Sequence, residues 1–371
     1  MNNKIPIIAA SLVKFGDLWE KGIRDLISEA GKKTLSEAGL TPDKIDSLHI
    51  ANCFSARTSG QGMLNSIAFE ELRIGNAVCV NAGDASGAAA IMEAANSILA
   101  GKSEIAMVLG VEKASDLKTD EILSLTSDFI GEEESFVGAT IQSQFAMITK
   151  KYLKDFRLKA TDLSFIPSQN HKNAIGNEYA QYKFELKEEK INSSQLIAEP
   201  IRMLDCASYC DGAAALVMCS EAAAKKLKNK VKGYLLASSI ASDSLSLSKR
   251  KSITSIESTA KATESAYKIA GVNPNEIDLM ELHDIVPIAE VLAVEELGFA
   301  KKGKGIQFIR SGKNKVNLSG GLKACGHAAG ATGIRQAIDV LKKLREKKLR
   351  YGLTQTIGGT GGVSVVNIFG V

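Results

Sequence analysis

The chain lacks any apolar run approaching the ~20 residues a helix needs to cross a bilayer, and it lacks a charge of one dominant sign. Its 371 residues carry 46 Lys+Arg against 42 Asp+Glu, a net charge of +4. The first absence argues against a membrane span, and the second gives no reason to expect a nucleic acid or other polyanion. The basic stretches at 225–230, 248–251 and 342–350 read as solvated helix faces and loops. A disulfide framework is lacking too, because six cysteines are few for this length. Cys206 and Cys210 have no second pair at metal spacing, so no bound metal is expected. No signal peptide precedes the first strand, and Phe369-Gly370-Val371 is no peroxisomal tripeptide, so the cytoplasm is the expected location. Hydrophobic residues at 45% and charged residues at 24% describe an ordinary globular protein with a large core.

What is present is a duplication. The segment Ala38-Gly39-Leu40-Thr41-Pro42-Asp43-Lys44-Ile45-Asp46 returns 232 residues later as Ala270-Gly271-Val272-Asn273-Pro274-Asn275-Glu276-Ile277-Asp278. Asp84-Ala85-Ser86-Gly87-Ala88 returns 243 residues later as His327-Ala328-Ala329-Gly330-Ala331. Preserved order and spacing indicate two similar α/β halves. The second offset exceeds the first by 11, which predicts an insertion in the second half, placed at 301–313. Strands are predicted at 5–10, 46–52, 77–81, 104–111 and 213–219, then at 232–240, 278–283, 315–319, 352–357 and 363–369. Residues 113–200 have no counterpart and read as a cap inserted over the first half. The predicted domains are 1–112 plus 201–230, the cap 113–200, and 231–371.

A pseudo-twofold axis between the halves makes Asp84 and His327 equivalent, each at the N-terminus of a small-residue helix. Small residues let two backbones approach closely, so the axis brings a carboxylate and an imidazole together at the centre. The helix N-terminus favours the negative charge. The chain has four histidines, at 49, 171, 283 and 327. His49, inside Leu48-His49-Ile50-Ala51, reads as a core or edge histidine.

Val80-Asn81-Ala82-Gly83-Asp84-Ala85-Ser86-Gly87, with Met107-Val108-Leu109-Gly110-Val111-Glu112, resembles the active-site segment of the thiolase family. Gly326-His327-Ala328 resembles that family's Gly-His-Pro loop. Glu281-Leu282-His283-Asp284-Ile285 resembles the His-Asp-x-Phe motif of its archaeal and sterol-carrier-type members, and Thr356-Ile357-Gly358-Gly359-Thr360-Gly361 resembles the last family loop. The resemblance spans nearly the whole chain. It implies thiolase-like duplicated βαβαβαββ halves forming a layered αβαβα core with an inserted cap.

The resemblance also implies roles. Position 84 is that of the acyl-accepting cysteine, here aspartate. His327 and His283 are catalytic, the latter standing where other members use Asn to hold an oxyanion-binding water. Gly358 offers its N–H, with that of residue 84, to an oxyanion hole. Ile285 and Thr356 stand where some members carry a further cysteine. Cys325 is an outside candidate for the missing thiol, a buried structural cysteine being the plainer reading. Ser168-Gln169-Asn170-His171-Lys172-Asn173-Ala174 resembles the family's Lys-Asn-His segment, which makes His171 a candidate for coenzyme A or substrate contact at the mouth.

A carboxylate is a poor acyl acceptor, since attack gives a mixed anhydride prone to hydrolysis. Ordinary thiolysis is therefore disfavoured. A general base beside His327, with oxyanion donors, suits C–C cleavage or formation through a CoA-thioester enolate. Retro-aldol cleavage of a β-hydroxyacyl-CoA is the leading form, with decarboxylation a variant. Two other readings stay open: a catalytically silent subunit of a heteromeric complex, and an acetyl-CoA C-acyltransferase with an engineered Cys-to-Asp change at 84. The implied partners are an acyl-CoA substrate, a second thiolase-like chain in a homodimer or heteromer, and a small zinc-ribbon/OB-fold protein. Coenzyme A enters as part of the substrate, and no covalently bound cofactor is expected.

Overall fold

The computed structural model describes residues 4–227, 230–312 and 315–371; Lys228 and Asn229 of the first basic stretch and Lys313 of the expected insertion lie outside the described residues. Ten strands form one mixed sheet. The first half supplies β1 (Ile5–Leu12), β2 (Ser47–Ala51), β3 (Ala77–Val80) and β4 (Ile105–Glu112). After the separate hairpin of β5 (Leu196–Ala198) and β6 (Ile201–Arg202) comes its last strand, β7 (Gly212–Cys219). The second half supplies β8 (Gly233–Ser242), β9 (Leu279–Glu281), β10 (Lys315–Val316), β11 (Tyr351–Gly358) and β12 (Val363–Gly370).

Outward from the antiparallel contact of β1 with β8, the orders are β1-β7-β4-β2-β3 and β8-β12-β11-β9-β10. Strand for strand the halves match, with the parallel pairs outermost in both. All ten predicted strands are present, but those at 278–283 and 315–319 are shorter than expected. The physical reason is Asn317, which takes φ 48 and turns the chain. Its Oδ1 accepts the Leu282 N–H at 2.7 Å, so a side-chain bond replaces the next rung of the ladder.

Two helices, Ser86–Leu99 and Ala329–Lys347, pack against each other between the two halves of the sheet. The Ile23–Ala38 helix covers the outer face of the first half and the Glu257–Ala270 helix that of the second, which completes five layers. Glycine makes the central crossing possible. A Cβ on Gly87 would stand 2.8 Å from Gly330 O, and one on Gly333 would stand 2.3 Å from Ala88 N. Gly87 and Gly330 are themselves mates in the 243-residue repeat, so the backbones touch on the pseudo-twofold axis.

The lengthening of the second half is divided, not confined to 301–313. From β2 to β9 the offset is 232, from β3 to β10 it is 238, and from Asp84 to His327 it is 243. About half of the excess therefore falls after β10, where it forms the short Gly321–Cys325 helix leading to His327.

The segment 113–200 leans on the second half, a correction to the expected cover over the first. Along its Ile141–Phe156 helix, Ile141, Phe145, Ile148 and Tyr152 are buried in one core with Ile256, Leu282, Ile288 and Leu292. That i, i+4, i+7, i+11 spacing is one helix face, hidden from composition by the polar residues between. Tyr152 Oη also donates to Glu295 Oε1. No helix among the described residues is long and apolar enough to cross a membrane.

Candidate active site

Each half delivers its side chain by a different local device. After β3, Gly83 turns at φ 59, a left-handed conformation that favours glycine. The Ser86 hydroxyl fixes this turn by accepting the Ala82 N–H at 2.9 Å and donating to Gly83 O at 2.5 Å. Asp84 thereby stands at the head of the Ser86–Leu99 helix. In the second half, the Asp284 carboxylate accepts N–H bonds from Leu322 at 2.6 Å and Lys323 at 3.2 Å and so caps the Gly321–Cys325 helix. Gly321, at φ 61, has no room for a side chain, since its Cβ would lie 2.2 Å from Asp284 Oδ2. The His327 N–H then donates to Ser208 O at 2.9 Å, and His327 O accepts from Cys210 N at 3.2 Å.

These devices converge on one point. Asp84 Oδ1 and His327 Nε2 lie 3.2 Å apart, and neither side chain is exposed. The Tyr209 hydroxyl donates to Asp84 Oδ1 at 3.3 Å, and the Gly359 N–H donates to Oδ2 at 3.2 Å. On the far side of the imidazole, His327 Nδ1 meets Thr332 Oγ1 at 2.8 Å. That hydroxyl spends its proton on Ala328 O, 3.0 Å away. Nδ1 is then the donor, and Nε2 is the ring nitrogen that faces Asp84. The His283 ring stands edge-on to His327, with centroids 5.1 Å apart at 88°. It is fully buried, and neither of its ring nitrogens has a hydrogen-bond partner among the described residues.

Burial works to raise the Asp84 carboxyl. The hydrogen bond and charge of His327, with smaller help from His283 and the Gly359 amide, outweigh it and hold the group below its ordinary value. Burial and the neighbouring His327 charge push His283 down to about 3, so it is neutral at pH 7. Tyr209 is driven well above its usual range by burial and by Asp84, so the phenol keeps its proton and acts as a donor.

A second carboxylate holds the frame. Glu112, ending β4, accepts from Cys53 N, Asn52 Nδ2 and Gly330 N, each at 3.0 Å, and from Phe54 N at 3.1 Å. Burial pushes it up to about 7 against those four donors. It ties the loop after β2 to the central helix of the other half. Over the site stand Phe54, Phe129 and Tyr209, with Phe54 stacked on Phe129 at 5.3 Å and edge-on to Tyr209 at 5.8 Å. Phe129 and Tyr209 are partly exposed, whereas Asp84, His283 and His327 are not, so this wall is the side facing solvent.

The remaining expected residues fall elsewhere. Gly358 packs on Ala82 O, to which a Cβ would come within 2.8 Å, and the amide that reaches Asp84 is that of Gly359, one residue further on. His171 is buried instead of standing at a mouth. Its Nδ1 pairs with Phe184 O at 3.1 Å, and Tyr182 and Phe184 enclose its ring. Burial and the charge of Lys323 push it down to about 4. His49 is buried in β2 with Nε2 3.2 Å from Ser47 Oγ. Ile285 is buried, and the Thr356 hydroxyl donates to Gln336 Oε1 at 2.7 Å. Cys325 is buried against Ser319 O, its thiol pushed up to about 12 by burial. Sequence reasoning passed over Tyr209, Thr332, Gly359 and Glu112. Only Glu112 left a signal, as the lone charge ending an otherwise apolar strand.

Residues 5–222 match the thiolase N-terminal domain and residues 239–371 the thiolase C-terminal domain-like family. The chain belongs to the thiolase family. An acetyl-CoA acetyltransferase of Methanocaldococcus jannaschii is 38% identical, covering 98% of each chain. The benzoylsuccinyl-CoA thiolase subunit BbsB of Thauera aromatica is 28% identical over 86% of this chain and 85% of its own length. Among solved structures, an Ltp2-ChsH2(DUF35) aldolase superposes with a TM-score of 0.85 at 21% identity, covering 100% of this chain and 98% of that one. That last likeness is one of fold.

Proposed function

We propose that the protein acts on acyl-CoA thioesters and breaks or makes the C–C bond next to the thioester through an enolate, with retro-aldol cleavage of a β-hydroxyacyl-CoA as its leading reaction. The observation that carries this is the Asp84–His327 contact of 3.2 Å at paired helix N-termini, a carboxylate base against an imidazole acid. In the cleavage direction, Asp84 or a water it orients takes the β-hydroxyl proton. The Cα–Cβ bond breaks, its electron pair passes to the enolate, and the β-carbon leaves as a carbonyl product. His327 and His283 face the developing oxyanion, joined by the backbone N–H of Gly358, and His327 returns a proton to Cα. The names of the relatives support acyl-CoA chemistry, and the aldolase among the fold neighbours is consistent with the enolate reading.

Coenzyme A enters as part of the substrate, with no covalently held cofactor. The proposed assembly is a homodimer or a heteromer with a second thiolase-like chain, to which a small zinc-ribbon/OB-fold protein attaches. The open edge strand β3 supports such pairing: Val78 on it is 48% exposed. A catalytically silent subunit is the second reading, favoured by the complete burial of Asp84, His283 and His327.

The test is incubation with a panel of β-hydroxyacyl-CoAs, following acetyl- or propionyl-CoA and the carbonyl product. Turnover is expected, and Asp84→Asn should lower kcat by roughly 10²–10⁴-fold. No turnover by the protein, alone and with its partner, would sink the lyase reading and leave the silent one. Thiolysis gained by Asp84→Cys would show that the rest of the machinery is competent for acyl transfer.

A further inference from the structure

We propose that Asp84, His283 and His327 form a binding site for one divalent transition-metal ion of the zinc or cobalt kind. Each side chain offers one ligand atom, and these atoms all lie within 4.8 Å of one another. Two imidazoles and one carboxylate are a borderline-soft nitrogen and oxygen set, suited to such ions and not to magnesium or calcium. At bond lengths of ~2.0–2.2 Å, tetrahedral geometry separates two ligand atoms by about 3.4 Å. Asp84 Oδ1 and His327 Nε2 are already 3.2 Å apart, the edge such an ion would occupy.

The third ligand is free to complete the set. Both His283 ring nitrogens are buried and unpartnered among the described residues, whose hydrogen bonds therefore do not oppose its rotation. Closing the widest gap needs a shift of about 1.4 Å or less. The supporting contacts also fit. Thr332 Oγ1 holds His327 Nδ1 at 2.8 Å and thereby presents Nε2, while the Gly359 amide fixes the other oxygen of Asp84. Such second contacts are what orient metal-binding side chains. Three protein ligands leave a fourth position open for water or a substrate oxygen. No spacing motif announces the site, because its ligands come from three separate segments of two halves.

The inference goes beyond the proposed lyase chemistry and does not depend on it. An ion on Asp84 Oδ1 takes the atom that the lyase step uses as base, so the metal-bound and proton-transferring forms are alternative states of one site. The test uses the full chain purified in chelator, then dialysed against Zn²⁺ or Co²⁺ without any substrate. Elemental analysis should find one ion per chain, and Co²⁺ should give the intense visible bands of a low-coordinate nitrogen/oxygen site. His283→Gln and Asp84→Asn should lose both signals, whereas His49→Gln should keep them, with circular dichroism confirming that all variants fold. No retained ion in the wild type would overturn the proposal, as would equal retention in His283→Gln. Because lyase turnover is assayed separately on the chelator-treated protein, either idea can fail without the other.

Discussion

At the head of one central helix Asp84 stands among buried alanines, Ala85, Ala88 and Ala89, with Val365 beyond them. Before His327, the short helix at 321–325 is capped by Asp284, which belongs to a buried polar network with Asn170, Glu290 and Asn317. One fold, used twice, thus delivers a carboxylate from a short glycine turn and an imidazole from a helix capped by a buried polar network. The helix N-terminus already favours a negative charge, and the Gly359 amide completes the support for Asp84. An imidazole at the same place gains nothing from the helix. It has to be held by its neighbours, through the Asp284 cap, the Ser208 carbonyl and the Thr332 hydroxyl.

If the halves differ in this way, one substitution should cost more in the first half than in the second. Glu290 accepts the Asn170 and Asn317 amides at 2.9 and 2.7 Å, both through Oε2. Burial, then the Asp284 charge, pushes it from 4.5 up to about 8. A carboxyl with a raised folded-state value contributes stability that is present below about 4.5 and lost as pH climbs through 8. Glu290→Gln keeps the accepting oxygen and cannot ionise. We expect it to flatten that slope and to raise the unfolding free energy from urea titration at pH 8, by on the order of 2–4 kcal/mol, while changing little at pH 5. Glu112 in the first half accepts two N–H bonds on each oxygen. Glu112→Gln turns one acceptor into a donor facing donors, a loss of about 2–3 kcal/mol at pH 5, which the removal of its own raised ionisation offsets as pH climbs through about 7. Urea unfolding of both variants at pH 5 and 8 checks this, and a Glu112→Gln loss at pH 5 no larger than that of Glu290→Gln would break the comparison.

Most of the fold was legible because duplication leaves its mark on spacing. The offsets identified the halves, the strands and the pairing of position 84 with 327, since symmetry carries one local geometry onto the other. What stayed hidden depends on contacts between distant segments. Tyr209 and Gly359 reach Asp84 from loops 125 and 275 residues away in sequence. The allegiance of the 113–200 segment was missed for a related reason: its apolar stripe shows only as a helix face, and nothing in its composition says which half that face will meet.

A smaller effect tests whether the axis is tight from both sides. Gly87 and Gly330 are repeat mates, but a Cβ on Gly330 would meet Asn52 Cα at 2.6 Å, Val111 O at 2.7 Å and Ala51 O at 2.8 Å. On Gly87 the nearest atoms are Gly330 O at 2.8 Å and Gly333 N at 3.1 Å. All of these are backbone, so the strain has no side chain to relax into. Both substitutions to Ala should destabilise by about 1–3 kcal/mol in urea unfolding, with Gly330→Ala the worse. Gly176→Ala, with open space around it, serves as the neutral control. Should Gly330→Ala match that control, the second helix does not lie against the backbone of β2 and β4.

The smallest expected change probes the support of the imidazole directly. Position 332 maps through the 243-residue repeat onto Ala89, so the second half carries a hydroxyl where the first carries a methyl. Thr332→Val removes the acceptor of His327 Nδ1 and keeps the side-chain shape, so the fold should scarcely notice. The ring loses the bond that fixes its tautomer, and kcat for C–C cleavage should fall about tenfold, or ~1.4 kcal/mol, with KM unchanged. Thr332→Ser, which restores the oxygen without the methyl, should recover most of the rate. A purely packing role predicts the reverse pattern, with Val tolerated and Ser impaired. Ala89→Ser, the matching change in the first half, should leave kcat within a factor of about two, because the Asp84 carboxylate takes its support from the helix end and the Gly359 amide.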